Sequence, residues 1–320
     1  MVVLFADVDT GIDDALALMY LLASPDAEVV GIASTAGNVP TAQVCANNLG
    51  LLALCGASQI PVSAGAGGPL VAPLRTAEDT HGPHGLGYAR LPDTPGTLTG
   101  YDAADGWIRA ARAHPGELVG LATGPLTNLA LALRREPELP RLLRRLVIMG
   151  GAFDHPGNTT PVAEWNIYVD PEAAAEVFGA FGGGELPIVL GLNVTEQIIM
   201  TPELLDRLIG ALPAASPLAA LISDALRFYF EFHAGQGEGY LAYLHDPLAA
   251  AVALDPALVT CRPGTVDVEL DGTLTRAMTV ADRRAHWGRQ PNAQIGIAVD
   301  PAAFFDRFIE RVGALGRRLA

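Results

Sequence analysis

Residues 2–23 read VVLFADVDTGIDDALALMYLLA. The first part, Val2–Ala6, is an unbroken apolar run of the length and composition of a strand buried on both faces. From Asp13 to Ala23 the apolar residues persist too long for a strand and suit a helix packed on a sheet. Between the two lie Asp7, Asp9, Asp13 and Asp14, four acids within eight positions. A buried strand that turns through a short polar loop into a helix opens a β-α-β protein, in which function sits at the carboxyl ends of strands.

The pattern repeats outward from this unit. Strands are predicted over Glu28–Ser34, Glu117–Ala122, Arg145–Met149, Ile188–Gly191 and Thr265–Val268. Helices such as Thr41–Cys55, Asp102–His114, Pro125–Arg135 and Pro171–Phe178 lie between them. Apolar strands alternating with helices predict an α/β fold: an open, mostly parallel, doubly wound sheet with helices on both faces. The Gly/Pro-rich stretch 61–100 reads as a long loop region near a site, because strand–helix alternation resumes after it. One domain is therefore expected over residues 1–320.

With 320 residues, half of them hydrophobic, the chain can bury a large core. It contains no lysine, so all 20 basic residues are arginine. That excludes Schiff-base and pyridoxal chemistry and the phosphate-binding lysine of a P-loop. A net charge of −15 disfavours nucleic acid and anionic membranes as partners, and suits a small neutral substrate and a cation. Arg134, Arg135, Arg141, Arg144 and Arg145 do cluster, on what reads as a solvated helical stretch. Cys45, Cys55 and Cys261 are too few and too scattered for a disulfide framework or a metal site, and read as buried thiols in a reducing compartment. The N-terminus lacks the basic region of a signal peptide, and the apolar helix Ala15–Ala23 is too short to span a bilayer. A soluble cytoplasmic protein is expected.

Helix capping explains one or two acids at a helix N-terminus. Four at one buried strand end would repel unless neutralised, and a hard divalent cation with carboxylate ligands does this best. The spacing fails the alternating pattern of an EF-hand loop. Asp-x-Asp-Thr after a strand also resembles the aspartyl-phosphate phosphatases, but those enzymes normally use a lysine, which is absent.

Other strand ends add to the constellation. Thr35-Ala36-Gly37-Asn38 follows the second strand. Ala122-Thr123-Gly124-Pro125-Leu126-Thr127-Asn128 follows another, where a carbonyl is a natural ligand for a hard cation. Met149-Gly150-Gly151 lets backbone approach a ligand, and Asn158, Glu164 and Asn166 are of the type that grips sugar hydroxyls. His245-Asp246-Pro247 opens a helix. Asp-Pro recurs at 170–171, 255–256 and 300–301, where it reads as an N-cap, so spacing alone does not make Asp246 a ligand. The preceding histidine could donate a proton near neutral pH.

Together these segments resemble the nucleoside hydrolase family, often called inosine-uridine preferring nucleoside hydrolases. The resemblance is carried by Asp7-x-Asp9-x-Gly11-x-Asp13-Asp14, Gly37-Asn38, His81-Gly82-x-x-Gly85-Leu86, Ala122 to Asn128, Met149-Gly150-Gly151, Ala163-Glu164-x-Asn166, Asp170-Pro171-Glu172-Ala173 and His245-Asp246-Pro247, in the family's order, with Pro291-Asn292 late in the chain. It implies one bound Ca²⁺ per chain and a homodimer or homotetramer. It also implies that Asp9, Asp14, the carbonyl of Thr123 and Asp246 hold the metal. Asp13, Asn38, Asn158, Glu164 and Asn166 would grip the ribose, with Met149 beneath it. His81 and Trp165 would line the pocket and His245 would lie by the base. Thr10 stands where the family commonly has proline, and Trp165 where phenylalanine is expected. Residues 225–244, which should shape the base pocket, have no match that fixes the base.

The expected reaction is hydrolysis of the N-glycosidic bond of ribonucleosides through an oxocarbenium-like ribosyl species. Asp9 would take the proton of a metal-bound water, carboxylates would stabilise developing positive charge, and His245 would protonate the leaving base. The alternatives are a non-catalytic calcium- or nucleoside-binding protein on the same fold, and a phosphate-ester hydrolase.

Overall fold

The computed structural model of the chain describes residues 1–92, 96–182 and 184–320. Val2–Val8 forms β1, paired in parallel with β2 (Ala27–Ser34) on one side and β4 (Leu118–Ala122) on the other. Beyond β2 lies the short edge strand β3 (Val62–Ala64). Beyond β4 come β5 (Leu143–Met149), β6 (Ile188–Leu190), β11 (Ala293–Val299), β9 (Val259–Val268) and β10 (Thr279–Asp282). The sheet order is β10-β9-β11-β6-β5-β4-β1-β2-β3, and every pairing from β11 to β3 is parallel. Only β9 runs antiparallel, to β10 and β11. A separate antiparallel pair joins β7 (Ile199–Met200) to β8 (Ala242–Tyr243).

Strand side chains alternate between two cores. Leu4, Ala6 and Val8 enter one with Val147 and Met149, while Phe5 enters the other with Leu146 and Ile148. The first core is closed by α1 (Ile12–Ala23), α2 (Thr41–Leu54), α10 (Pro202–Gly210), α11 (Pro217–Gln236), α12 (His245–Leu254) and α13 (Pro301–Leu319). The second is closed by α4 (Ala103–Ala113), α5 (Thr127–Arg135) and α8 (Pro171–Ala180). Short helices α3 (Glu78–His81), α6 (Leu139–Leu142), α7 (Trp165–Val169) and α9 (Leu192–Thr195) interrupt the connections. The chain winds from β1 toward β2 and β3 and then returns to β4 on the other side. Their loops therefore diverge at the carboxyl ends of β1 and β4, the switch point where doubly wound sheets hold ligands.

Several boundaries differ from expectation. The predicted strand over Thr265–Val268 is the end of the ten-residue β9, and β3, β10 and β11 escaped the reading. Stretch 61–100 holds β3 and α3, and its residues 93–95 lie outside those described. The arginine cluster is divided among α5, α6 and β5 rather than lying on one helical stretch. Arg134 pairs with Glu176, Arg135 with Asp102 and Arg141 with Glu138. Cys45 and Cys55 are buried, whereas Cys261 is only half-buried. Among the described residues no helix is long and apolar enough to cross a membrane.

Candidate active site

The two acids of β1 and its exit have separate fates. Asp7 points into the second core, where Trp107 Nε1 donates to its Oδ2 at 2.7 Å and Asn128 Nδ2 to its Oδ1 at 3.0 Å, with the Thr35 hydroxyl as a third donor. It therefore clamps β1, β2, α4 and α5 beneath the site. Asp9 is fully buried at the switch point; Asn38 N donates to its Oδ2 at 2.8 Å, and its Oδ1 has no partner. Glycines press on it from two sides. A β-carbon on Gly37 would lie 2.9 Å from Asp9 Cγ, and one on Gly124 2.8 Å from Asp9 Oδ1.

Asp13 and Asp14 sit in the first turn of α1, which packs against α12 and so meets Asp246 in the first turn of that helix. One carboxylate oxygen from each of Asp13, Asp14 and Asp246 lies within 4.8 Å of the others, and all three residues are buried. Asp14 is the best anchored. Its Oδ2 accepts from Gly11 N at 2.9 Å and Asn38 Nδ2 at 3.3 Å, and its Oδ1 from Thr123 Oγ1 at 2.7 Å. Asp170, Asp255 and Asp300 each accept hydrogen bonds from helix N–H groups, as Asp-Pro caps should. Asp246 lies inside its helix instead, after the capping position held by Leu244.

Burial is the main cause that raises the pKa of all four site carboxyls, Asp9, Asp13, Asp14 and Asp246. Neighbouring carboxylates add to the shift at Asp9, Asp13 and Asp246, and Asp13 is pushed up to about 7. The charges that act most strongly on Asp9 and Asp246 are other carboxylates, so the cluster is one that a cation or protons would stabilise.

Above the cluster opens a cleft of about 540 Å³. Asp13, Asn38, His81, Thr123, Met149, Asn158, Glu164, Trp165, Asn166, His245 and Asp246 all line it, while Asp9 and Asp14 lie beneath its surface. Local bonds hold the expected ribose-side groups in place. Glu164 caps α7, its Oε1 accepting from Asn166 N at 2.9 Å and its Oε2 from Gly151 N at 2.9 Å and Ile167 N at 3.1 Å. Burial raises its pKa against these donors. Asn166 Nδ2 donates to the Thr123 carbonyl at 2.6 Å and the Met149 carbonyl at 3.2 Å, which ties the ends of β4 and β5 together. Asn158 Oδ1 accepts from Trp165 N at 3.0 Å.

His81 accepts from Ile12 N through Nδ1 at 3.1 Å, and His245 Nδ1 pairs with Thr195 Oγ1 at 2.8 Å. Burial lowers the pKa of both rings to about 3. The cleft also uses Tyr229, Phe232, His233, Glu238 and Tyr243, which sequence reasoning did not single out. The signal was present in Phe228-Tyr229-Phe230-Glu231-Phe232-His233, where Tyr229 and His233 stand four apart on one helical face.

Comparison with known proteins places this architecture. The sequence model of the family described as inosine-uridine preferring nucleoside hydrolase matches residues 4–306. The chain belongs to that family, and so to the hydrolases acting on N-glycosyl bonds. It is 40% identical over 311 residues to the pyrimidine-specific ribonucleoside hydrolase RihA of Citrobacter koseri, covering 96% of each chain. Among solved structures it resembles a purine-preferring ribonucleoside hydrolase from Gardnerella vaginalis, with a TM-score of 0.92 and 32% identity over 99% of each chain. It also resembles the plant nucleoside hydrolase PpNRh1, with a TM-score of 0.89 and 34% identity over 97% of this chain and 98% of the other.

Proposed function

We propose that the protein is a Ca²⁺-dependent ribonucleoside hydrolase in which Asp9 is the base that activates the attacking water. The observation that carries this reading is Asp9 Oδ1, a buried carboxylate oxygen without a partner beside three further buried carboxylates. The donor set also fits the ion. It is all oxygen, as a hard cation prefers, and it leaves negative charge uncompensated. Asp9, Asp14 and Asp246 would hold Ca²⁺ with the Thr123 carbonyl, which keeps a second lone pair beside its bond from Asn166. When bound, the ion would supply charge compensation and Lewis acidity toward water.

The chain's own groups do the rest. Asp9 accepts the proton of the attacking water through its free oxygen. Asp13 and the carbonyl oxygen of the Asn166 amide accept from ribose hydroxyls; Asn38, Asn158 and Glu164 complete the grip over Met149. These carboxylates surround the ring carbon that gains positive charge as the bond breaks. His245, beside Asp246, is kept neutral by burial, so it serves the departing base as a relay: its ring N–H hydrogen-bonds the base, and it passes on a proton taken up from solvent as negative charge grows there, returning to the neutral ring. The named relatives split between pyrimidine-specific and purine-preferring enzymes, so the base is a matter for assay. Incubation with uridine, cytidine, inosine and adenosine should release free ribose from at least one; release from none would overturn the reading.

A further inference from the structure

The loop from β5 to α7 brings Asn158 to the cleft, and its ends are held differently from its middle. At the start, the Thr279 hydroxyl accepts from Ala152 N and donates to Ala152 O, each at 3.0 Å, and Phe153 is buried. At the far end, Gly157 N donates to Pro161 O at 3.1 Å and Thr159 N to Ala163 O at 3.2 Å. Between these anchors the chain turns at Asp154, in a left-handed conformation (φ 53°), and two side-chain pairs tether the turn. Asp154, whose side chain is largely exposed, pairs with Arg283 at 2.5 Å. His155 lines the cleft instead, its Nε2 3.5 Å from Oε2 of Glu196, which lines it too.

Glu196 stands on a fixed base. It closes α9, whose Leu192, Val194 and Thr195 are buried, and its N–H donates to Leu192 O at 3.0 Å. Thr195, the residue before it, pairs with His245. The His155–Glu196 contact thus ties the turn that precedes Asn158 to the element that seats His245.

A count of hydrogens shows what this tether needs. His155 Nδ1 lies 2.9 Å from Pro156 O, and a carbonyl only accepts, so Nδ1 carries a hydrogen. On a neutral ring Nε2 is then a lone pair facing a carboxylate, and the two repel. They attract only when the pair holds one more proton, on the ring as imidazolium or on Glu196 as the acid. Burial raises the pKa of Glu196 against the pull of His155, and Glu238 adds to the rise. Tyr243 on β8 feels both carboxylates, and Glu238 is itself paired with His233 at the end of α11.

We propose that Glu196, acting through His155, is a positioning residue, a one-proton latch that holds the turn before Asn158 against the ribose side of the cleft. The latched form binds the proton more tightly than the open one, so the latch is shut at low pH and released as rising pH removes the proton. This assignment rests on the ribonucleoside hydrolase reading above.

The test follows KM for the fastest nucleoside from about pH 5 to 8, where an imidazole exchanges its proton, in the wild type, Glu196→Gln, Glu196→Ala and His155→Ala. A glutamine amide can turn its N–H to a bare Nε2 or its oxygen to an Nε2–H, so Glu196→Gln should stay latched throughout. Dividing wild-type KM by that of this variant cancels the ionisations both share, that of Asp13 included. The ratio should rise about two- to fivefold with pH, the scale of a partly exposed ion pair, with little change in kcat. Glu196→Ala and His155→Ala should show the raised KM at every pH, and combining them should add nothing. Hydrogen exchange over residues 152–160, corrected for its intrinsic pH dependence, reads the latch without substrate. It should quicken at high pH in the wild type and at every pH in Glu196→Ala, but not in Glu196→Gln. A KM ratio that does not vary with pH would overturn the assignment, as would wild-type exchange in Glu196→Ala. A wild type that releases ribose from no nucleoside refutes the functional reading itself, and exchange then still decides the latch.

Discussion

Gly37 leads β2 into the cleft, and the space left by its missing side chain is occupied by Asp9. A β-carbon there would stand 2.9 Å from Asp9 Cγ and 2.8 Å from Pro125 Cδ. Asp9 also occupies the side-chain space of Gly124, where an added β-carbon would stand 2.8 Å from its Oδ1, so the carboxylate fits between two glycines. Gly37→Ala should therefore turn the carboxylate and break its 2.8 Å bond from Asn38 N. A hydrogen bond to a charged group contributes about 1.5–3 kcal/mol, and overpacking a closed site costs about 1–3 kcal/mol. The expected loss is thus about 2.5–6 kcal/mol. At roughly 2.1 cal/mol/K of unfolding entropy per residue, 320 residues give about 0.7 kcal/mol per degree, so Tm should fall by roughly 4–9 °C. Loss of the base should also lower kcat by about 10²–10⁴, with a smaller effect on KM. Thermal unfolding and a reducing-sugar assay of ribose release measure the two effects. Gly67→Ala is the control, since its β-carbon would meet nothing within 4 Å. A Gly37→Ala variant with wild-type Tm and kcat would refute the argument that this space is reserved for Asp9.

Chelation followed by dialysis should abolish activity and lower Tm by roughly 4–6 °C, as expected for loss of a ligand present at about 100–1,000 times its Kd. Calcium should restore both, and elemental analysis should find one Ca²⁺ per chain; zinc instead, or full activity without metal, would contradict the proposed site. Removing a ribose hydroxyl should be severe, with 2′-deoxynucleosides slower than their parents by up to about 10⁴–10⁵. Equal turnover of the two would free Asp13 and Asn166 from the role of gripping ribose. His245→Ala should lose about 10²–10⁴ in kcat on inosine, yet far less on p-nitrophenyl riboside, whose leaving group is stable as an anion. Parallel losses on both substrates would leave His245 a packing role beside Thr195 and Asp246.

The strands that carry the site were legible because each is an uninterrupted apolar run closed by polar or glycine residues: Val2–Ala6 before Asp7, and Arg145–Met149 before Gly150. The edges were not. β3 has three residues and β10 four, while β11 reads AQIGIAV, in which glycine and glutamine break the run. Side-chain fates at the strand ends depend on partners far away in sequence. Asp7 is separated from the metal-type cluster by Trp107 and Asn128, about a hundred residues later, and no local pattern shows that. Asp246 is followed by proline, as three capping aspartates are, and only the packing of α12 on α1 turns it toward Asp13 and Asp14. Tyr229, Phe232 and His233 lay hidden for a related reason. An aromatic run on a helix usually reads as core, and its exposure to the cleft depends on where α11 ends.

The carboxylate trio joins two helices that lie more than two hundred residues apart along the chain, one synthesised almost first and the other after most of the sheet. Until α12 arrives, a growing chain carries Asp13 and Asp14 with nothing opposite them, so the centre can form only after residue 246 of 320 has been added. A cation gripping both helices would act as a clasp on a loop of that length, whose closure entropy alone amounts to roughly 5 kcal/mol by (3/2)RT ln n. Such a clasp holds only when both halves are in register, so uptake of the ion would report that folding has finished.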